Sequence, residues 1–112
     1  MENIISQKNL LRELSKTKSP YKKVILGKAD SKLIQAICEG VYNILEGNIQ
    51  LDSKSKQDLL KYKILLRKLV QKSSLKQKKK LLLQSGGALP AILPLVLSSL
   101  ASAVGSYFAA KQ

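Results

Sequence analysis

The chain has 112 residues, and its 20 lysines and arginines against seven acidic residues give it a net charge of +13. An excess of this size repels itself within one molecule, and its usual role is to attract a polyanion such as nucleic acid, anionic lipid or an acidic protein. The single cysteine and the absence of histidine exclude a disulfide framework within one chain and leave almost no groups for zinc binding or for Ser-His-Asp or Cys-His chemistry. We therefore expect neither an enzyme nor a bound metal or cofactor.

The N-terminal unit, residues 1–19, is predicted to be a short amphipathic helix followed by a break. Its apolar residues fall roughly on one face at helical spacing; they are Ile4, Ile5, Leu10, Leu11 and Leu14. The break is expected at 17-TKSP-20, because the residue before a proline is pushed out of the helical region. The next segment, 21–28, is compatible with one or two helical turns or with extended chain.

The strongest helical pattern covers residues 30–48. Asp30 or Ser31 is a suitable N-cap, and Gly47-Asn48 is a suitable stop. Cys38 is interpreted as a small core residue, and Gly40, which lowers helix propensity, as a point of close packing. The apolar stripe at helical spacing consists of Leu33, Ile34, Ile37, Cys38, Val41, Tyr42, Ile44 and Leu45.

A second strong helix is predicted over residues 53–72, with Asp52 or Ser53 as its cap. The short connection between the two helices predicts an antiparallel hairpin. After a break permitted by Ser73-Ser74, residues 74–85 are predicted to form a third, short basic helix. The core face of the second helix contains Leu59, Tyr62, Leu66 and Leu69, widened by Leu60, Ile64, Leu65 and Val70.

Basic residues are concentrated between residues 54 and 80, where Asp58 is the only acid. They are Lys54, Lys56, Lys61, Lys63, Arg67, Lys68, Lys72, Lys76, Lys78, Lys79 and Lys80. On the second helix they form two rows, spaced by seven and four residues, that flank the apolar face and are expected to make a basic ridge. Lysine positions a phosphate backbone rather than reading base edges. The ridge therefore predicts sequence-independent, strongly salt-dependent DNA binding, with anionic lipid headgroups as an alternative ligand.

An apolar tail with no charged residue before Lys111 follows Gly86-Gly87, and this glycine pair can act as a flexible hinge. Pro90 suits a helix start, whereas Pro94 is expected to kink or delay the helix. One face is predicted to contact membrane and consists of Leu89, Ile92, Leu93, Val96, Leu97, Leu100, Val104, Tyr107 and Phe108. A row of small residues that would let helices approach closely contains Ala101, Gly105 and Ala109. Three placements stay open: a helix inserted into membrane, one lying on its surface, and one packed on the hairpin or on another protein.

The join between the basic and apolar segments resembles a known arrangement. Lysines at 76–80, then Gly86-Gly87, then Leu89-Pro90 and Leu93-Pro94, follow the order of the C-terminal half of the adenovirus core protein X (mu) precursor. Over most of its length the chain is similar to the X-like virion proteins of adintoviruses and Polinton (Maverick) transposons, notably in 33-LIQAICEGVYNILEGNIQL-51 and in the KLLLQSGG join. The resemblance implies a virion protein that binds DNA and is found in the virion and, during infection, in the host nucleus or at host membrane.

The adenovirus resemblance also suggests proteolysis at the glycine pair. Adenovirus-type sites place Met, Ile or Leu two residues before a Gly-Gly pair, whereas that position here is Gln84. Gly86-Gly87 is therefore either a hinge or a cleavage site, and Gln84 favours the hinge.

Together these patterns predict an all-α protein. It has an N-terminal amphipathic helix in 1–19, a basic hairpin or three-helix domain in 20–85, a hinge at 86–87 and an apolar helix in 88–112. The expected function is that of a non-enzymatic virion accessory protein that binds DNA through its lysines and membrane through its tail. The alternatives are a membrane-permeabilising protein attracted to anionic lipid, and a capsid-lining protein whose tail packs into a protein pocket. Capsid proteins, or a second copy of the chain bound through the tail, are further candidate partners.

Overall fold

A computed structural model describes the backbone of residues 2–47, 51–84 and 88–111, and the side chains of those residues other than 2, 3, 19, 20 and 100–111. Within these ranges the regular secondary structure is helical and contains no strand, which confirms the predicted all-α class. The helices are α1 (Glu2–Ser6), α2 (Lys8–Lys16), α3 (Ser19–Lys28), α4 (Ser31–Leu45), α5 (Ser53–Lys61), α6 (Lys63–Val70), α7 (Leu75–Leu83) and α8 (Ala88–Lys111).

Both ends of α4 follow the signals in the sequence. The Asp30 carboxylate accepts hydrogen bonds from the backbone N–H groups of Lys32 at 3.1 Å and Leu33 at 3.3 Å, so Asp30 is the N-cap. Just after the helix, Gly47 has a φ of 78°, a left-handed conformation that glycine adopts without a side-chain clash. The prediction for this helix is confirmed at both ends.

Local capping also starts α5 and α7. The Asp52 carboxylate accepts a hydrogen bond of 2.7 Å from the Ser55 N–H, as the sequence predicted. Before α7, the Ser74 hydroxyl accepts from the Gln77 N–H at 3.1 Å, and the Gln77 side chain accepts from the Ser74 N–H at 3.4 Å. This reciprocal pair is a capping box, which satisfies two N–H groups that a helix start would leave unpaired.

The first 28 residues form three helices, α1 to α3, where the sequence predicted one helix and left residues 21–28 open. The predicted first helix is divided at Gln7 into α1 and α2. Residues 21–28, for which helix and extended chain were both possible, are helical. Pro20 is compatible with this helix because it lies in the first turn of α3. Proline lacks a backbone N–H, but no helical hydrogen bond is lost in the first turn, since the first N–H groups of a helix have no partner within it.

The helix predicted over residues 53–72 is interrupted at Tyr62, where φ is −107° and ψ is 15°. The N–H of Tyr62 still donates to the carbonyl of Asp58, and the N–H of Leu66 donates to the carbonyl of Tyr62, each at 3.0 Å. The helical register therefore continues across the interruption. Helix α6 packs against α4, as the hairpin prediction requires, whereas α5 packs against α8.

Helix α4 is central to the core and contacts α1, α6, α7 and α8. Tyr42, which was predicted to lie on its apolar stripe, is instead 53 % exposed. The buried side chains of α4 are Leu33, Ile34, Ala36, Ile37, Cys38, Val41 and Ile44. They belong to one apolar cluster with Ile4, Leu11, Leu14, Leu66, Leu69 and Leu82 of the surrounding helices.

Gly40 is a point of close approach between α4 and its neighbours α8 and α1. A Cβ atom at this position would lie 2.9 Å from Cγ1 of Val96, 3.3 Å from the Val96 Cα and 3.2 Å from Cδ1 of Ile4. A real Cβ needs more space than this, so the absence of a side chain lets α8 and α1 approach α4. The predicted close packing at Gly40 is confirmed.

The apolar tail is part of the same core. Helix α8 begins at Ala88 and contacts α1, α2, α4, α5 and α7. Pro90 is near its start, as predicted. Pro94 does not delay the helix, because α8 begins six residues before it. The Pro94 side chain is exposed. The hydroxyl of Ser98 donates to the Pro94 carbonyl at 3.1 Å. The buried apolar residues of α8 are Ala88, Leu89, Ile92, Leu93, Leu95 and Val96.

Candidate polyanion-binding surface

Eight exposed basic side chains lie on α5, α6 and α7 and in the link between α6 and α7. Because α6 contacts both α5 and α7, these helices form one continuous part of the molecule. We call the eight residues the basic surface; they are Lys54, Lys56, Lys61, Arg67, Lys68, Lys72, Lys76 and Lys80.

Packing of the apolar residues orients this surface. Leu66 and Leu69 are completely buried, and Arg67 and Lys68 lie between them in the sequence. Since successive residues of a helix are separated by about 100° around its axis, anchoring Leu66 and Leu69 inward turns Arg67 and Lys68 toward solvent. Leu82 anchors α7 in the same way.

Three of the eleven predicted basic residues are half-buried instead of exposed: Lys63, Lys78 and Lys79. The ammonium of Lys79 donates a hydrogen bond of 3.0 Å to the carbonyl of Ala29, between α3 and α4. Lys78 lines a groove beside Cys38. Lys79 therefore helps to tie α7 to the rest of the fold, and Lys78 faces the body of the protein.

The basic surface has little acidic charge near it in the sequence. Asp58, the only acid between residues 54 and 80, is half-buried. At the start of α5, the hydrogen bond from the backbone of Ser55 lowers the pKa of Asp52, so this carboxylate is held ionised as a helix cap. Between residues 54 and 80 the sequence nevertheless carries eleven basic residues against one acid, an excess typical of proteins that attract polyanions.

A cleft between α6 and α7 interrupts the basic surface. Its volume is about 400 Å³, and it is lined by Lys68, Gln71, Ser73, Gln77, Lys80, Leu81 and Gln84. Two ammonium groups, side-chain amides and a hydroxyl suit an anionic oxygen, and the lining contains no carboxylate to repel one. This cleft is therefore suited to hold a phosphate group.

A second groove, of about 420 Å³, lies between α4, α6 and α7. Cys38, Tyr42, Val70, Leu75 and Lys78 are among its lining residues. Burial raises the pKa of the Cys38 thiol, and Glu39 adds to the rise, while Lys78 opposes it. The thiol is therefore protonated at neutral pH and is a weak nucleophile. This agrees with the interpretation of Cys38 as a core residue.

The face of the tail that was predicted to contact membrane is divided by the structure. Leu89, Ile92, Leu93 and Val96 are buried among the other helices, and Leu97 is half-buried against the core. In this fold these residues take the third predicted placement, packing on the protein.

The remaining predicted side chains of the tail lie outside the described ones: Leu100, Val104, Tyr107, Phe108, Ala101, Gly105 and Ala109. Gly86 and Gly87 lie outside the described residues altogether. Within the described part of the chain, no helix is both long enough and apolar enough to cross a membrane.

Sequence reasoning missed two features of the surface. Lys23 and Lys28 are exposed on α3, which packs against the basic helix α7; recognising Pro20 as a helix-start residue would have revealed that helix. Leu60 and Ile64 were assigned to the core face, and that assignment is wrong, because their side chains are 69 % and 74 % exposed.

The fold and these side chains define a small all-α protein with a concentrated basic surface. Among the described residues, no group of three or more His, Cys, Asp or Glu side chains is placed to hold a metal ion. Comparisons with protein-family models, with curated proteins and with solved structures gave no match.

Proposed function

We propose that this protein is a non-enzymatic DNA-binding protein that holds the phosphate backbone without reading base sequence. The observation that carries the proposal is the group of eight exposed basic residues on adjoining helices, with one half-buried acid among them. Neutralising several phosphates releases condensed counterions, and this release dominates the affinity of proteins that bind DNA non-specifically.

The kinds of side chain favour the backbone over the bases. Arg67 is the one arginine of the basic surface, and lysine lacks the planar fork that recognises guanine. Tyr62 offers little for base stacking, because it is half-buried and the ammonium of Lys61 lies 5.4 Å from the centre of its ring. The cleft between Lys68 and Lys80 supplies a seat for a single phosphate.

The resemblance to adenovirus-like X proteins supports a place for this activity in a virion, with the host nucleus or host membrane as the site of action during infection. In that setting the protein would be a virion accessory protein that contacts packaged DNA. Membrane insertion or permeabilisation by the tail, and its docking on capsid protein, remain proposals. Each requires α8 to leave α4 or to act through residues 100–111.

Fluorescence anisotropy with two short duplexes of unrelated sequence tests the DNA proposal. We expect equal affinity for both and a linear fall of log K with log salt concentration. Replacing Lys54, Lys61 and Lys68 by Gln removes three charges from the basic surface and keeps most of each side chain. The slope should then decrease by about 0.9 for each lost phosphate contact.

A matched control carries Arg12→Gln, Lys16→Gln and Lys32→Gln, which remove the same charge from exposed positions on α2 and α4. Its salt slope should stay near that of the unaltered protein. Equal losses in both triple variants would show that net charge acts without a defined surface. A strong preference for one duplex would contradict the absence of sequence reading.

A further inference from the structure

Two bulky aliphatic side chains project into solvent from the basic helices. Ile64 is 74 % exposed and Leu60 is 69 % exposed, more than any other large hydrophobic side chain that the structure describes. Removing such groups from water is favourable in proportion to their apolar area. Single exposed hydrophobic residues need no explanation, but these two are adjacent on one helical face.

Their spacing places them among cations. Leu60 and Ile64 are four residues apart, about one helical turn, on either side of Tyr62, whose N–H donates to Asp58 and whose carbonyl accepts from Leu66. The same spacing puts Lys56 one turn before Leu60, and Arg67 about one turn after Ile64. Half-buried Lys63 lies beside Ile64. An apolar pair is thus bounded at both ends by basic side chains.

Binding to the phosphate backbone, as proposed above, makes no use of the aliphatic pair, because phosphates contact the charged and polar groups of a protein. A second copy of the chain does not fit either. A symmetric dimer through this patch would bring Lys56 and Arg67 of each copy toward cations of the other, at a cost in repulsion. The partner that satisfies both components has negative charge at its surface and hydrocarbon immediately beneath.

We propose that this patch, comprising Lys56, Leu60, Lys63, Ile64 and Arg67, docks the protein on an anionic lipid bilayer. The aliphatic side chains enter the boundary between headgroups and acyl chains, while the cations stay at the headgroup phosphates. Each basic residue near such a surface strengthens binding by about fivefold. The protein binds in its folded form, with α8 in the core, so this membrane site is separate from the tail.

Vesicle flotation with the full chain tests the proposal. The probes are vesicles of phosphatidylcholine alone and vesicles with about one-third phosphatidylserine. The unaltered protein should float with the anionic vesicles only. Leu60→Ser combined with Ile64→Ser should weaken that binding by about tenfold or more, because apolar insertion is lost while every charge remains.

The control is a second exposed pair on another helix. Tyr21 and Val24 of α3 are 61 % and 53 % exposed and three residues apart. Tyr21→Ser combined with Val24→Ser should leave vesicle binding unchanged. Both double variants should retain the helical circular dichroism of the folded protein and full affinity for a DNA duplex, which separates loss of lipid binding from failure of the DNA proposal.

A spectroscopic test locates the inserted residue. The chain contains no tryptophan, so Ile64→Trp introduces a unique fluorophore at the patch, and Val24→Trp introduces one on α3. Anionic vesicles should shift the Ile64→Trp emission to shorter wavelength and expose it to quenching by brominated acyl chains. Val24→Trp should show neither effect.

Several outcomes would overturn the proposal. Equal flotation of the Leu60→Ser, Ile64→Ser variant and the unaltered chain would show that charge alone suffices. Equal loss in the α3 control would show that the site is not local. Sedimentation equilibrium that gives a dimer, converted to monomer by the same two substitutions, would assign the patch to self-association. Retention by an acidic protein without vesicle binding would assign it to a protein partner.

Discussion

Gly40 shows how one absent side chain controls the packing of three helices. In an open helix, replacing glycine by alanine stabilises by up to about 1 kcal/mol. At Gly40 the added Cβ would stand 3.3 Å from the backbone Cα of Val96, which no side-chain rotation can move. We expect Gly40→Ala to destabilise the protein by about 1–3 kcal/mol, measured by urea unfolding.

Gly27 provides the matched control. It is also helical, near the end of α3, and a Cβ there would meet nothing within 4 Å. Gly27→Ala should leave the free energy of unfolding unchanged or raise it. If both alanine variants were equally stable, the close contact between α4 and α8 at Gly40 would be refuted.

Asp52 gives the stability a dependence on acid pH. Its pKa is lowered in the folded state by the hydrogen bond from the Ser55 backbone N–H. A group with a lowered folded pKa contributes stability above its unfolded pKa of about 3.9, and that contribution is lost as pH falls through the folded value. The loss is therefore expected below about pH 4.

Asp52→Asn isolates this contribution, because asparagine caps a helix without titrating in this range. Urea midpoints compared at about pH 6 and about pH 3 should fall less for Asp52→Asn than for the unaltered chain. Asp52→Ala, which removes the cap, should be less stable than Asp52→Asn at neutral pH. An identical acid-induced loss in the Asn variant and the unaltered chain would exclude Asp52 as the titrating group.

At the scale of the element, the burial of a leucine side chain decides how much it contributes to the free energy of unfolding. Leu93 of α8 is 1 % exposed, whereas Leu60 of α5 is 69 % exposed. Leu93→Ala removes buried methyl groups and leaves a cavity, at a cost of about 2–5 kcal/mol. Leu60→Ala should change stability by less than about 0.5 kcal/mol. Thermal unfolding of the two variants compares the same chemical change in two environments, and equal costs would contradict the placement of α8 in the core.

Three helix boundaries could be predicted from the sequence because their causes are local. Asp30, Asp52 and Gly47 act within a few residues of their own positions, so the pattern that predicts them also produces them. Tyr62 had no such signal: nothing in 53–72 marks an interruption. Helical spacing alone also left open how wide the apolar face is, and Leu60 and Ile64 were consequently assigned to the core.

The placement of α8 was beyond sequence reasoning for a different reason. An uncharged leucine-rich segment suits a lipid bilayer and a protein interior equally well, since both remove the same apolar surface from water. The choice depends on whether the rest of the chain provides a complementary surface. Gly40 of α4 and Ile4 of α1 contribute to that surface, and they are distant from α8 in the sequence.

At the scale of the whole molecule, the tail packs on the helices that carry the basic surface, since α8 contacts both α5 and α7. Leu89, Ile92, Leu93, Leu95 and Val96 are all at most 1 % exposed. Burial of five such side chains contributes on the order of 10 kcal/mol, which is comparable with the entire stability of a typical domain. We therefore expect the 1–87 fragment to lose cooperative unfolding and much of its helical circular dichroism.

Because the 1–87 fragment is expected to unfold, it is not a suitable variant for testing the membrane and DNA proposals. A deletion of the tail would expose the buried faces of α4 and α1, so altered lipid or DNA binding by the fragment would reflect unfolding and not the loss of a binding element. The full chain with Leu60→Ser and Ile64→Ser is the appropriate comparison, because it alters the surface and keeps α8. A 1–87 fragment that unfolds cooperatively, with the helical content of residues 2–84 intact, would instead establish α8 as an independent tail and return the membrane question to it.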